Sequence, residues 1–125
     1  MTEHYVHIFA SPEDPFPPTL EDDQNNVGNT EEGDKEFTTE VYSDDTMTWS
    51  AYPARGNAIS TIDKIEINSG AEYFSSLPTK DRETGEWNAT LGESSKEGDI
   101  TYTIYYTANR KQYKQDPKLR FRPRT

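Results

Sequence analysis

Cysteine is absent from this chain, which excludes disulfides, thiolate metal sites and cysteine nucleophiles. Histidine is scarce, with His4 and His7 the only two. No apolar run approaches the roughly 18 residues of a membrane-spanning helix. There is no Gly-x-Ser-x-Gly elbow and no glycine-rich phosphate loop, so nucleophilic serine and nucleotide chemistry have no motif to rest on. The start, Met1 to Phe9, has neither the basic region nor the apolar stretch of a secretory signal, and the expected location is cytoplasmic. Aliphatic residues are few: Leu, Ile, Val and Phe together number 19 of 125. With a net charge of −10, that composition leans towards disorder. Eight Tyr, five Phe and two Trp lean the other way, because disordered chains are poor in aromatics. The length fits one domain, residues 1–125.

Basic residues are missing from the first third. From Met1 to Asp45, 13 acids stand against one base, Lys35, a net of −12. Residues 46–99 carry −4 and residues 100–125 carry +6. Overall acidity argues against a nucleic-acid partner, whose phosphates need a basic surface. The basic tail, Lys118, Arg120, Arg122 and Arg124, alternates with Leu119, Phe121 and Pro123. That pattern reads as a strand with solvated charges on one face. In a compact domain the tail neutralises part of the acidic first third. If the two regions lay at opposite ends, copies could associate head to tail.

Period-2 alternation bounded by turn residues marks strands. Tyr5 to Phe9 is the first. Residues 10–34, with Pro12, Pro15, Pro17, Pro18 and Glu21-Asp22-Asp23, read as a long acidic, proline-rich loop. Glu36 to Tyr42 and Thr46 to Ala51 alternate on either side of Ser43-Asp44-Asp45 and suggest a hairpin. Ile59 to Ile67 reads as two short strands joined by a bend or bulge. Tyr73, Phe74 and Leu77 sit in a turn-rich segment ended by Pro78. Glu86 to Leu91 alternates again. Ile100 to Thr107 is the strongest strand, with Ile100, Tyr102, Ile104 and Tyr106 on one face. Gln112 to Lys114 and Lys118 to Arg122 complete the set. Seven or eight short strands with no convincing helix predict an all-β fold, an antiparallel immunoglobulin-like β-sandwich. A barrel is the alternative. Sandwich strands need only one apolar face, so a low aliphatic count is compatible with order.

The run Gly98-Asp99-Ile100-Thr101-Tyr102-Thr103-Ile104-Tyr105-Tyr106, then Tyr113, then Asp116-Pro117-Lys118-Leu119-Arg120, resembles the last two strands of AidA/PixA-type bacterial inclusion-body proteins. Asp45-Thr46-Met47-Thr48-Trp49, followed by an isoleucine-rich strand, is similar to another strand of that family. The resemblance covers roughly residues 33–123 and rests on short motifs. It implies a bacterial cytosolic β-sandwich that is abundant and self-associating. It brings no catalytic residues with it.

Candidate chemistry is sparse. His4 and His7, three apart on a strand, point to opposite faces and make no site by themselves. Asp22, Asp23, Asp44 and Asp45 offer oxygen ligands to calcium, although none matches EF-hand spacing and charge runs are usually solvated. Alternation sends Trp49 and Trp87 into the core. Tyr52 and Tyr105 are then the aromatic surface candidates, for a glycan or a protein partner. No catalytic set and no cofactor is implied. The expected function is a non-enzymatic structural or interaction protein that self-associates or docks on a protein partner. A carbohydrate-binding module, with or without calcium, is the alternative.

Overall fold

The computed structural model describes residues 2–51 and 56–123. Eleven strands form two open sheets that face each other across one core. The first sheet, A, contains β1 (Glu3–Phe9), β2 (Thr19–Asp22), β3 (Val27–Gly28), β5 (Thr46–Ala51), β7 (Phe74–Lys80) and β8 (Trp87–Leu91), in the order β3-β2-β1-β5-β8-β7. Sheet B contains β4 (Thr38–Tyr42), β6 (Ile59–Ser69), β9 (Gly98–Ala108), β10 (Lys111–Gln115) and β11 (Lys118–Arg122). Its order is β10-β9-β11-β4, with β6 on the remaining side of β9. A six-residue helix, α1 (Glu31–Glu36), and a single 3₁₀ turn at Ala71–Tyr73 are the helical pieces.

The alternation read from the sequence sets the core. Val6 and Ile8 of β1, Met47 and Trp49 of β5, and Ala89 and Leu91 of β8 face Ile100, Tyr102, Ile104 and Tyr106 of β9. Leu119 and Phe121 of β11 and Val41 of β4 close the other end. Trp49 meets Tyr102 edge-on at 5.4 Å, and Tyr73 stacks on Phe121 at 4.6 Å. Aromatics thus supply the volume that the missing aliphatics would have filled. Trp87 is only half-buried, and its indole N–H donates to the Ile62 carbonyl at 3.0 Å.

Several expectations are corrected. The sheets are not wholly antiparallel, as an immunoglobulin-like sandwich would require. β1 runs parallel to β5, from Glu3↔Thr46 to Ile8↔Ala51, and β11 runs parallel to β4. Side chains alternate with period 2 in either pairing, so alternation carries no sign of strand direction. Neither sheet closes, so the barrel is not formed. β4 and β5 are not a hairpin: Asp44, at φ 67°, turns the chain from sheet B into sheet A. The segment read as a loop at 10–34 holds β2, β3 and α1. Thr30 caps α1 by accepting from the Gly33 amide at 2.9 Å. β6 is one strand with three register shifts rather than two strands, and β7 runs through Pro78.

Candidate functional site

The densest polar cluster lies at one end of β1. There the inward-facing position that precedes Val6 and Ile8 is His4, 6% exposed. Its Nδ1 lies 2.9 Å from Asp23 Oδ2 and its Nε2 2.7 Å from Asp45 Oδ2. Asp45 is fully buried and also accepts from the amides of Thr2 at 3.1 Å and Tyr42 at 2.9 Å. Asp23 accepts from the Tyr5 amide at 3.2 Å. Asp22 accepts from the Gln24 and Asn26 amides, the Asn26 side chain and the Thr39 hydroxyl, the last at 2.6 Å. Asp44 stands apart in the β4–β5 turn. Two of the four candidate calcium ligands, Asp23 and Asp45, therefore meet at His4, while Asp22 is held by its own turn and Thr39, and protein donors occupy the oxygens of all three. Among the described residues no group of three or more His, Asp or Glu is arranged to hold a metal ion. The cluster acts as a clasp that joins β1 to the β2–β3 and β4–β5 turns. Its histidine partners lie 19 and 41 residues away in sequence. Only the strand alternation, which puts His4 on the face of Val6 and Ile8, signalled its burial.

The basic tail runs along the outer side of β11 as its alternation requires. Arg120 pairs with Asp99 at 3.0 Å and Glu97 at 3.2 Å; Arg122 pairs with Glu40 at 3.3 Å and Glu97 at 3.5 Å. Lys118 forms no ion pair among the described residues. The acidic start and the basic end therefore meet inside one molecule, through Glu40 of β4 and Arg122 of β11. The two guanidiniums line a shallow groove of about 380 Å³ with Gln24, Asn26, Thr38 and Glu40. Three carboxylates already compensate them there. Tyr52 and Arg124 lie outside the described residues.

Tyr105 belongs to a ladder of hydrogen bonds across the outer face of sheet B. Its hydroxyl donates to Glu66 at 3.1 Å. Thr101 pairs with Ser69, Thr103 with Asn68 and Asp116, and Thr107 with Asp63. Lys64 and Tyr105 both donate to Glu66 and hold its carboxyl below the usual range, while the hydrogen bond donated to Glu66 raises the Tyr105 phenol. The outer face of sheet A is different. Around the stacked rings of Tyr5 and His7, 4.5 Å apart, it presents Thr46, Thr48, Ser50, Asn88 and Thr90, together with Glu3 opposite Thr46 and Glu21 opposite His7. A cleft of about 420 Å³ adjoins this face, lined by His7, Ser50, Ser60, Thr61, Thr84 and Glu86 among others. The exposed large hydrophobic residues among those described are Tyr5 at 42%, Leu77 at 53% and Val27 at 60%. All three lie on sheet A, with Val27 on one edge strand, β3, and Leu77 on the other, β7.

The model of a family described as a domain of unknown function, DUF8788, matches residues 18–114. The chain belongs to that family. No curated protein matches the DUF8788 chain. Among solved structures it is similar to the crystal structure of the inclusion body protein PixA from Burkholderia cenocepacia J2315. The TM-score is 0.51 at 7% identity, over 98% of this chain and 95% of that chain. At that identity the likeness is one of fold. The resemblance drawn from the β9–β11 motifs is thus met at the level of architecture.

Proposed function

We propose that this DUF8788 protein is a non-enzymatic interaction module of the bacterial cytosol that associates with further copies of itself, or docks on a protein partner, through the edges of sheet A. One observation carries this reading: every exposed large hydrophobic side chain among the described residues sits on sheet A, and two of the three mark its opposite edges. Exposed edge strands with apolar side chains are templates for pairing with another chain. Kinship with AidA/PixA-type proteins beyond the fold is part of the same proposal, and the name of the structural neighbour, an inclusion body protein, fits it. The groups that would serve catalysis, His4 with Asp23 and Asp45, are spent on internal bonds. Light scattering over a concentration series tests the idea. Mass should rise with concentration in the wild type and stay monomeric in Leu77→Asp. A wild type that is monomeric at every concentration and captures no partner in a pull-down would overturn it.

Carbohydrate binding is the second reading, and one feature favours it. The outer face of sheet A gathers hydroxyl and amide groups, Thr46, Thr48, Ser50, Asn88 and Thr90, beside the exposed Tyr5 ring, with Glu3 and Glu21 on the same face, and such a set suits a hydroxylated ligand that stacks on an aromatic ring. A glycan array probed with wild type and Tyr5→Ala decides this: silence with the wild type removes it.

A further inference from the structure

The Asp34 carboxyl has no role in the reading above, and its surroundings are unusual for an acid. It is fully buried, and it is the only buried side chain of α1. Its Oδ2 receives one long hydrogen bond, 3.4 Å, from Gln115 Nε2 of β10, itself 2% exposed. Its Oδ1 has no hydrogen-bond partner. That oxygen faces Gly28 of β3, where a Cβ would come within 2.6 Å of it, so only glycine allows the approach. No basic group stands within ion-pair distance of the carboxyl among the described residues. The remainder of α1, Glu31, Glu32, Gly33, Lys35 and Glu36, contains no apolar side chain that could anchor it. A six-residue helix is not stable by itself. The C-cap residue, Phe37, is buried in the core and fixes the end of the segment, so the part whose docking depends on the buried carboxyl is 29–36.

We propose that segment 29–36 is a pH-sensitive latch, docked on β3 and β10 while Asp34 keeps its proton and released when that proton leaves. A neutral carboxyl tolerates burial with one hydrogen bond; an ionised one with a bare oxygen does not. The titratable and charged groups around it give little help to the anion. Tyr106 of β9 donates its hydroxyl to the Pro15 carbonyl at 2.7 Å. Lys114 of β10, Asp116 beyond it, and Glu31 and Lys35 of α1 line an open groove of about 410 Å³ with Phe16 and Tyr113. There the two cations are balanced by two carboxylates. Burial pushes the Asp34 carboxyl up to about 7 from its ordinary 3.8.

The sign follows from linkage. In the released segment Asp34 regains an ordinary carboxylate value, so below pH of about 4 both states hold the proton and the latch is closed. Between about 4 and about 7 only the released state gives the proton up. Opening then grows by about tenfold per pH unit and levels off above pH of about 7. Hydrogen exchange on the full chain from pH 5 to 8, with each rate divided by the intrinsic rate at that pH, reads this directly. Amides within 29–36 should lose protection by about 100-fold between pH 5 and 7, while those of β9 should not follow. In Asp34→Asn, which separates Asp34 from every other titrating group, segment 29–36 should show the same protection at all pH values. A pH-independent wild-type segment, or an Asp34→Asn protein that opens as the wild type does, would overturn the proposal. A carboxyl-carbon NMR titration of the wild type needs no variant: an Asp34 that titrates in the ordinary carboxylate range would also overturn it.

Discussion

At the scale of single residues, Asp45 ties together three separate parts of the chain. It is fully buried and receives the Thr2 amide, the Tyr42 amide and His4 Nε2. Asp45→Ala leaves two part-buried N–H groups and a buried imidazole edge without this acceptor. Loss of one partner from a buried charged network costs about 3–5 kcal/mol, and urea unfolding should show a loss of that order. Asp44→Ala, one residue earlier, removes an exposed side chain from the turn and should cost far less. The sequence suggested the two as equivalent neighbours in a calcium cluster. Their difference lies in which one points back under the turn, and adjacent acids in a turn look alike in composition. His4 was legible in part. Its alternation with Val6 and Ile8 predicts an inward ring, but its carboxylate partners come from elements far along the chain, and no local pattern records them.

At the scale of elements, the outer edge of β4 shows how this protein treats an unpaired strand. Side chains take the place of a neighbouring strand. Asn26 Nδ2 donates to the Thr38 carbonyl at 3.0 Å. Gln24 donates to the Glu40 carbonyl at 2.6 Å and accepts from the Glu40 amide at 2.9 Å. Asp45 takes the Tyr42 amide. The edge is thereby closed to a second chain. The double variant Gln24→Ala with Asn26→Ala removes four side-chain hydrogen bonds and should lose about 2–6 kcal/mol of stability, since each net hydrogen bond contributes about 0.5–1.5 kcal/mol. It should also form dimers in sedimentation velocity that survive the addition of Leu77→Asp, because their contact is the newly opened β4 edge. A variant that loses stability yet stays monomeric in the Leu77→Asp background would show that other features guard this edge. Strands were the most legible elements: β1, β5, β9 and β11 lie close to where alternation put them. The segment 10–34 was not legible. Its strands β2 and β3 have four and two residues, too short to display a period, and α1 has no apolar stripe to mark a helix.

At the scale of the whole molecule, the charge separation along the chain is undone by the fold. Parallel pairing of β4 with β11 sets the acidic start beside the basic end, and Arg122 meets Glu40 within one molecule. Head-to-tail association through opposite charges therefore loses its basis, and polarity of another kind takes over. Sheet A has two different edges, β3 with Val27 and β7 with Leu77. A contact between unlike edges is heterologous and continues from copy to copy, whereas a β7–β7 contact is isologous and stops at a dimer. Two variants distinguish these geometries. If unlike edges meet, Val27→Asp and Leu77→Asp should each be monomeric alone, because each has lost one half of the contact. Mixed, they should form a one-to-one dimer and nothing larger, joined through the intact Leu77 edge of the first and the intact Val27 edge of the second. If like edges meet at β7, Val27→Asp should dimerise as the wild type does and mixing should add nothing. Size-exclusion chromatography with light scattering on the two variants and their equimolar mixture reads all of these outcomes. Two variants that each assemble as the wild type does would place the contact away from both edges of sheet A.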